Sequence, residues 1–346
     1  MAYTTIDKPD EYFNTVLYTG DGNASRSVSG IGFAPDWVWV KGRSTAYYHG
    51  LWDIVRTNKS ALYSNATDAE DTTTGGTLTS FDSDGFTLPN VSGGFVNNSG
   101  TTFVSWNWKA NGAGVSNTAG SITSTVSANT TSGFSIVGWT GTGANGTIGH
   151  GLGTAPAMII VKARGAVKDW MVGHNSLGWT KYINLNTTSA ESTASTVWQD
   201  TAPTSSVFSV GSSSDVNTSS TTMIAYCFAE KKGFSKFGSY VSNNNADGTF
   251  VYTGFKPAFL LLKNITTGST GWEMYDNKRT PNNVANLFLR ANTSGADVSS
   301  DRLDILSNGF KLRQVGDTNY NSDVIIYMAF AENPFVTSTG IPTTAR

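Results

Sequence analysis

The sequence predicts an all-β protein built from three tandem, homologous antiparallel β-sandwich (jelly-roll-like) repeats, and two observations carry that expectation. The first is composition. Ser, Thr, Asn and 37 glycines are abundant in the 346 residues, charged side chains are only 14%, and long runs of Glu, Lys, Leu and Ala are absent. Short strands joined by polar turns have that make-up; helices do not. The second is a ten-residue phrase that occurs three times. It reads Gly32-Phe-Ala-Pro-Asp-Trp-Val-Trp-Val-Lys41, then Gly153-Thr-Ala-Pro-Ala-Met-Ile-Ile-Val-Lys162, then Gly254-Phe-Lys-Pro-Ala-Phe-Leu-Leu-Leu-Lys263. Each copy is a turn, a proline that ends pairing on one side, and a strand buried on both faces.

With Pro35, Pro156 and Pro257 as origins, the copies lie 121 and 101 residues apart, and other landmarks keep step. An aromatic opens each unit at Tyr18, Trp139 and Tyr240. After Lys41, Lys162 and Lys263 come His49, Trp170 and Trp272, each followed four residues on by a polar group, Asp53, His174 or Asp276. Next is Asn-x-Thr/Ser-x-Ala-acid, running from Asn65 to Glu70, from Asn186 to Glu191 and from Asn292 to Asp297. Phe86, Phe208 and Phe310 follow, with alternating neighbours. Each unit closes on an apolar strand: Phe103-Val-Ser-Trp-Asn-Trp108, Met223-Ile-Ala-Tyr-Cys-Phe228 and Ile325-Ile-Tyr-Met-Ala-Phe330. In the first of these, Trp106 and Trp108 share one face and Phe103, Ser105 and Asn107 the other. Residues 52–59 admit a short helix.

The boundaries follow from these landmarks. An N-terminal arm covers 1–12, the repeats 13–110, 134–230 and 237–334, and a C-terminal tail 335–346. A linker at 111–133 includes the strand-like run Ser121-Ile-Thr-Ser-Thr-Val126, and 231–236 is a short connection. A repeat of about 95 residues is long enough to fold round its own core.

The net charge of −2 is spread without blocks, which argues against nucleic acid or an anionic membrane as partner. The single cysteine, Cys227, lies in an apolar run and reads as a buried structural thiol. The start, Met1-Ala-Tyr-Thr-Thr, has neither the basic residues nor the apolar core of a signal peptide. No stretch is long enough to span a bilayer, so a soluble protein made in a cytoplasm is expected.

Several stretches carry a family resemblance. They are Gly32-Phe-Ala-Pro-Asp-Trp-Val-Trp-Val-Lys-Gly-Arg43, Ser83-Asp-Gly-Phe-Thr-Leu88, Gly133-Phe-Ser-Ile-Val137 and Gly149-His-Gly-Leu-Gly-Thr-Ala-Pro156. With them go Tyr226-Cys-Phe-Ala-Glu230, Ser235-Lys-Phe-Gly-Ser-Tyr240, Leu306-Ser-Asn-Gly-Phe310 and Met328-Ala-Phe-Ala-Glu-Asn-Pro-Phe335. Together they resemble tandem-repeat virion proteins of marine tailed bacteriophages such as cyanophages, whose domain is of unknown function. The resemblance covers nearly the whole chain. It implies a virion structural protein of tail or fibre type and supplies no catalytic residues.

Chemistry is sparse. His49, His150 and His174 lack metal-ligand spacing, and His150 sits in a Gly-rich turn. No Gly-x-Ser-x-Gly elbow marks a nucleophile. Carboxylates at Asp53, Glu70, Asp82 and Asp84 could be paired on paper as in a glycosidase. However, Glu70 recurs as Glu191 and Asp297, and Asp53 as His174 and Asp276. A fold needs its turn residues in every copy, whereas an active site is needed once. The recurring Pro35, Pro156, Pro257, Lys41, Lys162, Lys263, Glu70, Glu191 and Asp297 are therefore assigned to the scaffold, and no catalytic, cofactor or metal site is expected. Calcium at the recurring acid finds no EF-hand or nonapeptide spacing. Seven tryptophans, Trp37, Trp39, Trp106, Trp108, Trp139, Trp170 and Trp272, occupy repeated core positions. Trp179, Trp198, Tyr47 and Tyr48 lie outside the pattern and are the candidates for stacking on a sugar.

The expected function is a non-enzymatic virion protein, a tail fibre or tail-associated adhesin for host attachment. A capsid decoration or head fibre protein is the alternative, and a polysaccharide depolymerase a lesser one. Expected partners are other virion proteins, further copies of the chain with a homotrimer favoured, and a host surface glycan.

Overall fold

In the computed structural model, which describes residues 4–56 and 59–334, each apolar phrase forms a middle strand of an antiparallel sheet. The chain first lays down β1 (Phe13–Thr19), β2 (Ser27–Ser29), β3 (Trp37–Gly42), β4 (Gly50–Asp53), β5 (Leu62–Tyr63), β6 (Ser80–Asp82), β7 (Gly85–Thr87) and β8 (Thr102–Trp108). These pair in the order β1-β8-β3-β4-β5, with a small β2-β7-β6 layer.

Next come β9 (Val115–Asn117), β10 (Ser124–Asn129), β11 (Phe134–Thr140), β12 (Gly146–Gly149), β13 (Met158–Ala163), β14 (Met171–His174), β15 (Lys181–Asn184), β16 (Ser192–Thr193), β17 (Val207–Val210) and β18 (Thr222–Phe228). Two single-turn helices, α1 (Ser195–Trp198) and α2 (Ser214–Asn217), lie between them. The second sheet runs β16-β15-β14-β13-β18-β11-β10-β9, with β12-β17 apart.

Last are β19 (Ser235–Val241), β20 (Phe250–Tyr252), β21 (Phe255–Asn264), β22 (Trp272–Asp276), β23 (Ala285–Arg290), β24 (Val298–Leu306), β25 (Gly309–Leu312) and β26 (Val324–Pro334). Here one eight-stranded sheet, β19-β26-β21-β22-β23-β24-β25-β20, includes the outer layer. The fold is therefore all-β and antiparallel, as expected.

Strand periodicity explains why the middle strands are apolar throughout. Trp37 and Trp39 of β3 point to one side, Val38 and Val40 to the other, and all four are fully buried. Met158 and Ile160 alternate with Ile159 and Val161 along β13, and Phe259 and Leu261 with Leu260 and Leu262 along β21. The second set of each strand enters a separate core beneath that sheet's outer layer. The first set enters one core shared by all three sheets, where Trp106, Trp108, Tyr226, Phe228, Met328 and Phe330 join it. Aromatic contacts cross every pair of sheets there. Trp37 stacks on Tyr226 at 4.3 Å between ring centres, Trp108 meets Phe259 edge-on at 5.8 Å, and Phe228 meets Phe330 at 6.1 Å. A private core per repeat thus describes only half of each strand's burial.

The linker is not free chain. β10 pairs with β11 and β9 with β10, extending the second sheet. Ile122 bridges Ile148 and so covers the outer edge of β12. Two local expectations differ. The helix anticipated over 52–59 does not begin at Trp52, because Trp52 and Asp53 belong to β4 and pair with Val38 and Trp37; residues 57 and 58 lie outside the described residues. Pro35 and Pro156 precede their strands by two residues, but Pro257 lies within β21, where the register against β26 shifts on either side of it. The tail at 335–346 also lies outside the described residues, as do residues 1–3 of the arm.

Candidate functional site

The recurring residues meet at the junctions between the three main sheets. Lys162 of the second sheet donates from Nζ to the carbonyl of Thr67 in the first at 2.9 Å. Lys263 of the third reaches Thr188 of the second at 3.4 Å, and Lys41 of the first reaches Ser294 of the third at 3.0 Å. The direction is cyclic, and other groups repeat it. Trp170 Nε1 donates to the Tyr63 carbonyl at 2.8 Å, Trp272 Nε1 to that of Asn184 at 2.9 Å, and His49 Nε2 lies 3.1 Å from that of Arg290. Burial draws all three lysine ammonium groups down to about 8.

The acids recur at the same seams. The backbone N–H of Glu70 donates to the carbonyl of Arg164, that of Glu191 to Ile265 and that of Asp297 to Arg43. Where the facing residue is arginine an ion pair forms, Arg164–Glu70 at 2.6 Å and Arg43–Asp297 at 2.9 Å. Where it is Ile265, Glu191 turns to Lys181 instead. The asparagine opening each motif accepts from the backbone N–H of His49, Trp170 or Trp272, at 2.9 Å in each case, through Asn65, Asn186 and Asn292.

Asp53 and Asp276 are fully buried, each paired with an arginine three residues on, Arg56 at 2.5 Å and Arg279 at 2.6 Å. Each also accepts across a junction, Asp53 from the Tyr226 hydroxyl at 2.8 Å and Asp276 from Trp106 Nε1 at 3.0 Å. His174, at the same place in the second sheet, contacts the Tyr327 carbonyl at 3.2 Å. All three histidines share one tautomer. Nδ1 accepts from Trp39 Nε1 at His49, from the Leu152 N–H at His150 and from the Ser176 N–H at His174, which leaves Nε2 to donate to a carbonyl. Burial lowers each imidazole's pKa, that of His174 to about 4. Asp82 and Asp84 serve a turn: Asp84 accepts from the N–H groups of Gly30 and Gly32, which hold its carboxyl low, and Asp82 from Ser80 and Thr87.

Sequence reasoning missed a set of buried asparagines. Asn97, Asn217 and Asn319 brace the turns after β1, β11 and β19, accepting from the N–H of Asp21, Thr142 and Asn243 and donating to the carbonyls of Asn23, Ala144 and Asn245. The signal was there: each stands five residues before its sheet's closing strand. The paired Asp-x-x-Arg at Asp53 and Asp276 was equally legible.

The sugar-stacking candidates divide. Trp198 is 1% exposed and Trp179 8%, and they meet edge-on at 5.7 Å inside the second sheet's outer core. Neither ring face is open to a ligand in this conformation. Tyr47 is half-buried against the first sheet's outer core, and Tyr48 is exposed beside Tyr63. Cys227 is fully buried, and burial pushes its thiol pKa up. A polar cleft of about 240 Å³ lies between β1 and the end of β26, lined by Asp10, Asn14, Asn277, Lys278 and Glu332 among others. Among the described residues no three of His, Cys, Asp and Glu gather to hold a metal ion, and no helix is long and apolar enough to cross a membrane.

No curated protein and no solved structure matches the chain. One family model, described as "Domain of unknown function (DUF7483)", matches residues 8–334, and so takes in all three main sheets and their shared core. The chain belongs to this family of domains of unknown function, DUF7483.

Proposed function

We propose that this chain is a non-enzymatic structural protein of a bacteriophage particle, exposed on the tail as a fibre or tail-associated adhesin involved in host attachment. One β-sandwich module, present in three tandem copies, makes up its body. The observation that carries this reading is the use of the recurring polar residues. Lys41, Lys162, Lys263, Glu70, Asp297, Asp53 and Asp276 are all engaged in binding one sheet to the next. An active site gathers such groups round a cleft; here they lie at three separate seams. The virion assignment draws on the resemblance of the sequence motifs. The cyclic junctions support a block with pseudo-threefold form, suited to a threefold site and to contacts with other virion proteins and with its own copies.

Immuno-electron microscopy of intact particles, with copy number from quantitative mass spectrometry, tests this reading. Label on the tail in a multiple of three copies is expected. Label over the head would move the protein to capsid decoration, and absence from purified particles would overturn the virion reading. Release of reducing ends from host polysaccharide, abolished by a single carboxylate substitution, would overturn the non-enzymatic part.

A further inference from the structure

Among the described residues β20 is the last strand of its sheet, with β25 on one side and no strand on the other. Its counterparts are β2 and β12, because each sets a central apolar residue opposite a phenylalanine: Val28 opposite Phe86, Ile148 opposite Phe208 and Val251 opposite Phe310. That register places Phe250 where the other sheets carry Ser27 and Thr147, and Tyr252 where they carry Ser29 and Gly149. The fold is therefore satisfied by small or hydroxyl side chains here, yet the third sheet has two rings, Phe250 44% and Tyr252 55% exposed on one face of the strand. Val241, 57% exposed, stands nearby where β1 and β11 end on Thr19 and Thr140.

The second sheet shows what covers such an edge. Ile122 bridges Ile148 in parallel, and its N–H donates to the Thr147 carbonyl at 3.0 Å. That cover comes from the long linker leading into the second sheet. The connection into the third sheet is only residues 229–234, already held at both ends: Ala229 N–H bonds the Gly133 carbonyl, and Ala331 N–H bonds that of Phe234. Among the described residues no strand or bridge covers the outer edge of β20.

We propose that a second copy of this chain covers it, the two β20 strands pairing antiparallel about Val251. In that register Phe250 of each copy lies opposite Tyr252 of the other. The edge is thus self-complementary, forming an isologous contact with two aromatic cross-strand pairs. The outward backbone groups of both strands are satisfied at once, as pairing does for an exposed apolar edge. Charge does not oppose the approach, since Lys311, the cross-strand neighbour of Phe250, is already paired with Asp247 at 2.8 Å. This names one contact for the self-association proposed above, and it stands or falls apart from where the protein sits on a particle.

Sedimentation velocity on the full chain, up to roughly 300 μM, tests it against F250S/Y252S, which installs the serines that β2 already carries at these positions. The expected result is a reversible monomer–dimer equilibrium weakened at least about tenfold by the double substitution, with an unchanged thermal midpoint. A second measurement needs no variant: amide exchange across Phe250, Val251 and Tyr252 slows as the concentration of native protein rises. A monodisperse monomer over the whole range, association that ignores the two serines, or exchange that ignores concentration would each overturn the proposal.

Discussion

Trp170 in the second sheet donates its indole N–H to the carbonyl of Tyr63 in the first, 2.8 Å away and buried. Trp37 offers a contrast. It is equally buried in the shared core, but its Nε1 has no hydrogen-bond partner among the described residues. Trp170→Phe loses packing and also the seam hydrogen bond, leaving the Tyr63 carbonyl with the Ala66 N–H at 3.2 Å, whereas Trp37→Phe loses packing alone. Urea unfolding is expected to place Trp170→Phe below Trp37→Phe by about 0.5–1.5 kcal/mol. Equal costs would show that the seam bond contributes nothing beyond its area.

The Asp53–Arg56 pair makes a second prediction. Both side chains are fully buried, and Asp53 accepts from the backbone N–H of Val55 and Arg56 as well as from Tyr226. Asp53→Ala takes from the buried guanidinium its closest carboxylate, leaving Glu70 and the carbonyls of Leu51 and Ser60, and is expected to cost about 3–5 kcal/mol. The double substitution Asp53→Ala/Arg56→Met is expected to cost less than the sum of the two single ones. Strict additivity in that cycle would mean that the two residues act independently.

Stability should fall in mild acid. His49, His150 and His174 are held neutral, with Nδ1 accepting a hydrogen bond that protonation would destroy. Their folded pKa values lie below the unfolded value near 6.5, so below that pH the unfolded chain takes up protons that the folded chain refuses. The histidine contribution is whole above pH 6.5, falls as the pH drops, and for His174 levels off below about 4. His174→Gln keeps a donor and an acceptor, and the slope of its urea midpoint between pH 6.5 and 4.5 is expected to be shallower than that of the native chain. An unchanged slope would remove His174 from the effect.

The alternation of Trp37, Val38, Trp39 and Val40 made a doubly buried strand legible from sequence, and Trp106 and Trp108 were correctly set on one face of theirs. What lay on the far side of that face was not legible. A run of four apolar residues looks the same whether its second face meets its own layer or a neighbouring sheet, and only the three-way packing decides. Trp179 and Trp198 show the opposite limit. Falling outside the recurring pattern suggested a surface role, but the second sheet has glycine at Gly173, where a Cβ would come within 2.4 Å of the Trp179 ring. Gly173 pairs with Ile159 as Trp52 pairs with Val38 in the first sheet, so the Trp179 ring lies over the position where the first sheet carries Trp52. Side chains that exchange places between sheets leave no mark in a pattern read position by position. The aromatic edge of β20 was hidden for a related reason, since Phe250 and Tyr252 look like ordinary strand residues until their counterparts are seen to be Ser, Thr and Gly.

The shared core implies that the three sheets fold and unfold as one unit, because opening any one of them exposes the inner faces of the other two. Differential scanning calorimetry of the full chain, followed in parallel by tryptophan fluorescence and far-ultraviolet circular dichroism, measures this directly. A single transition is expected, with coincident midpoints and equal calorimetric and van't Hoff enthalpies. Two or three separable transitions, each accounting for part of the enthalpy, would contradict a common core and mean that the sheets are independent domains on one chain.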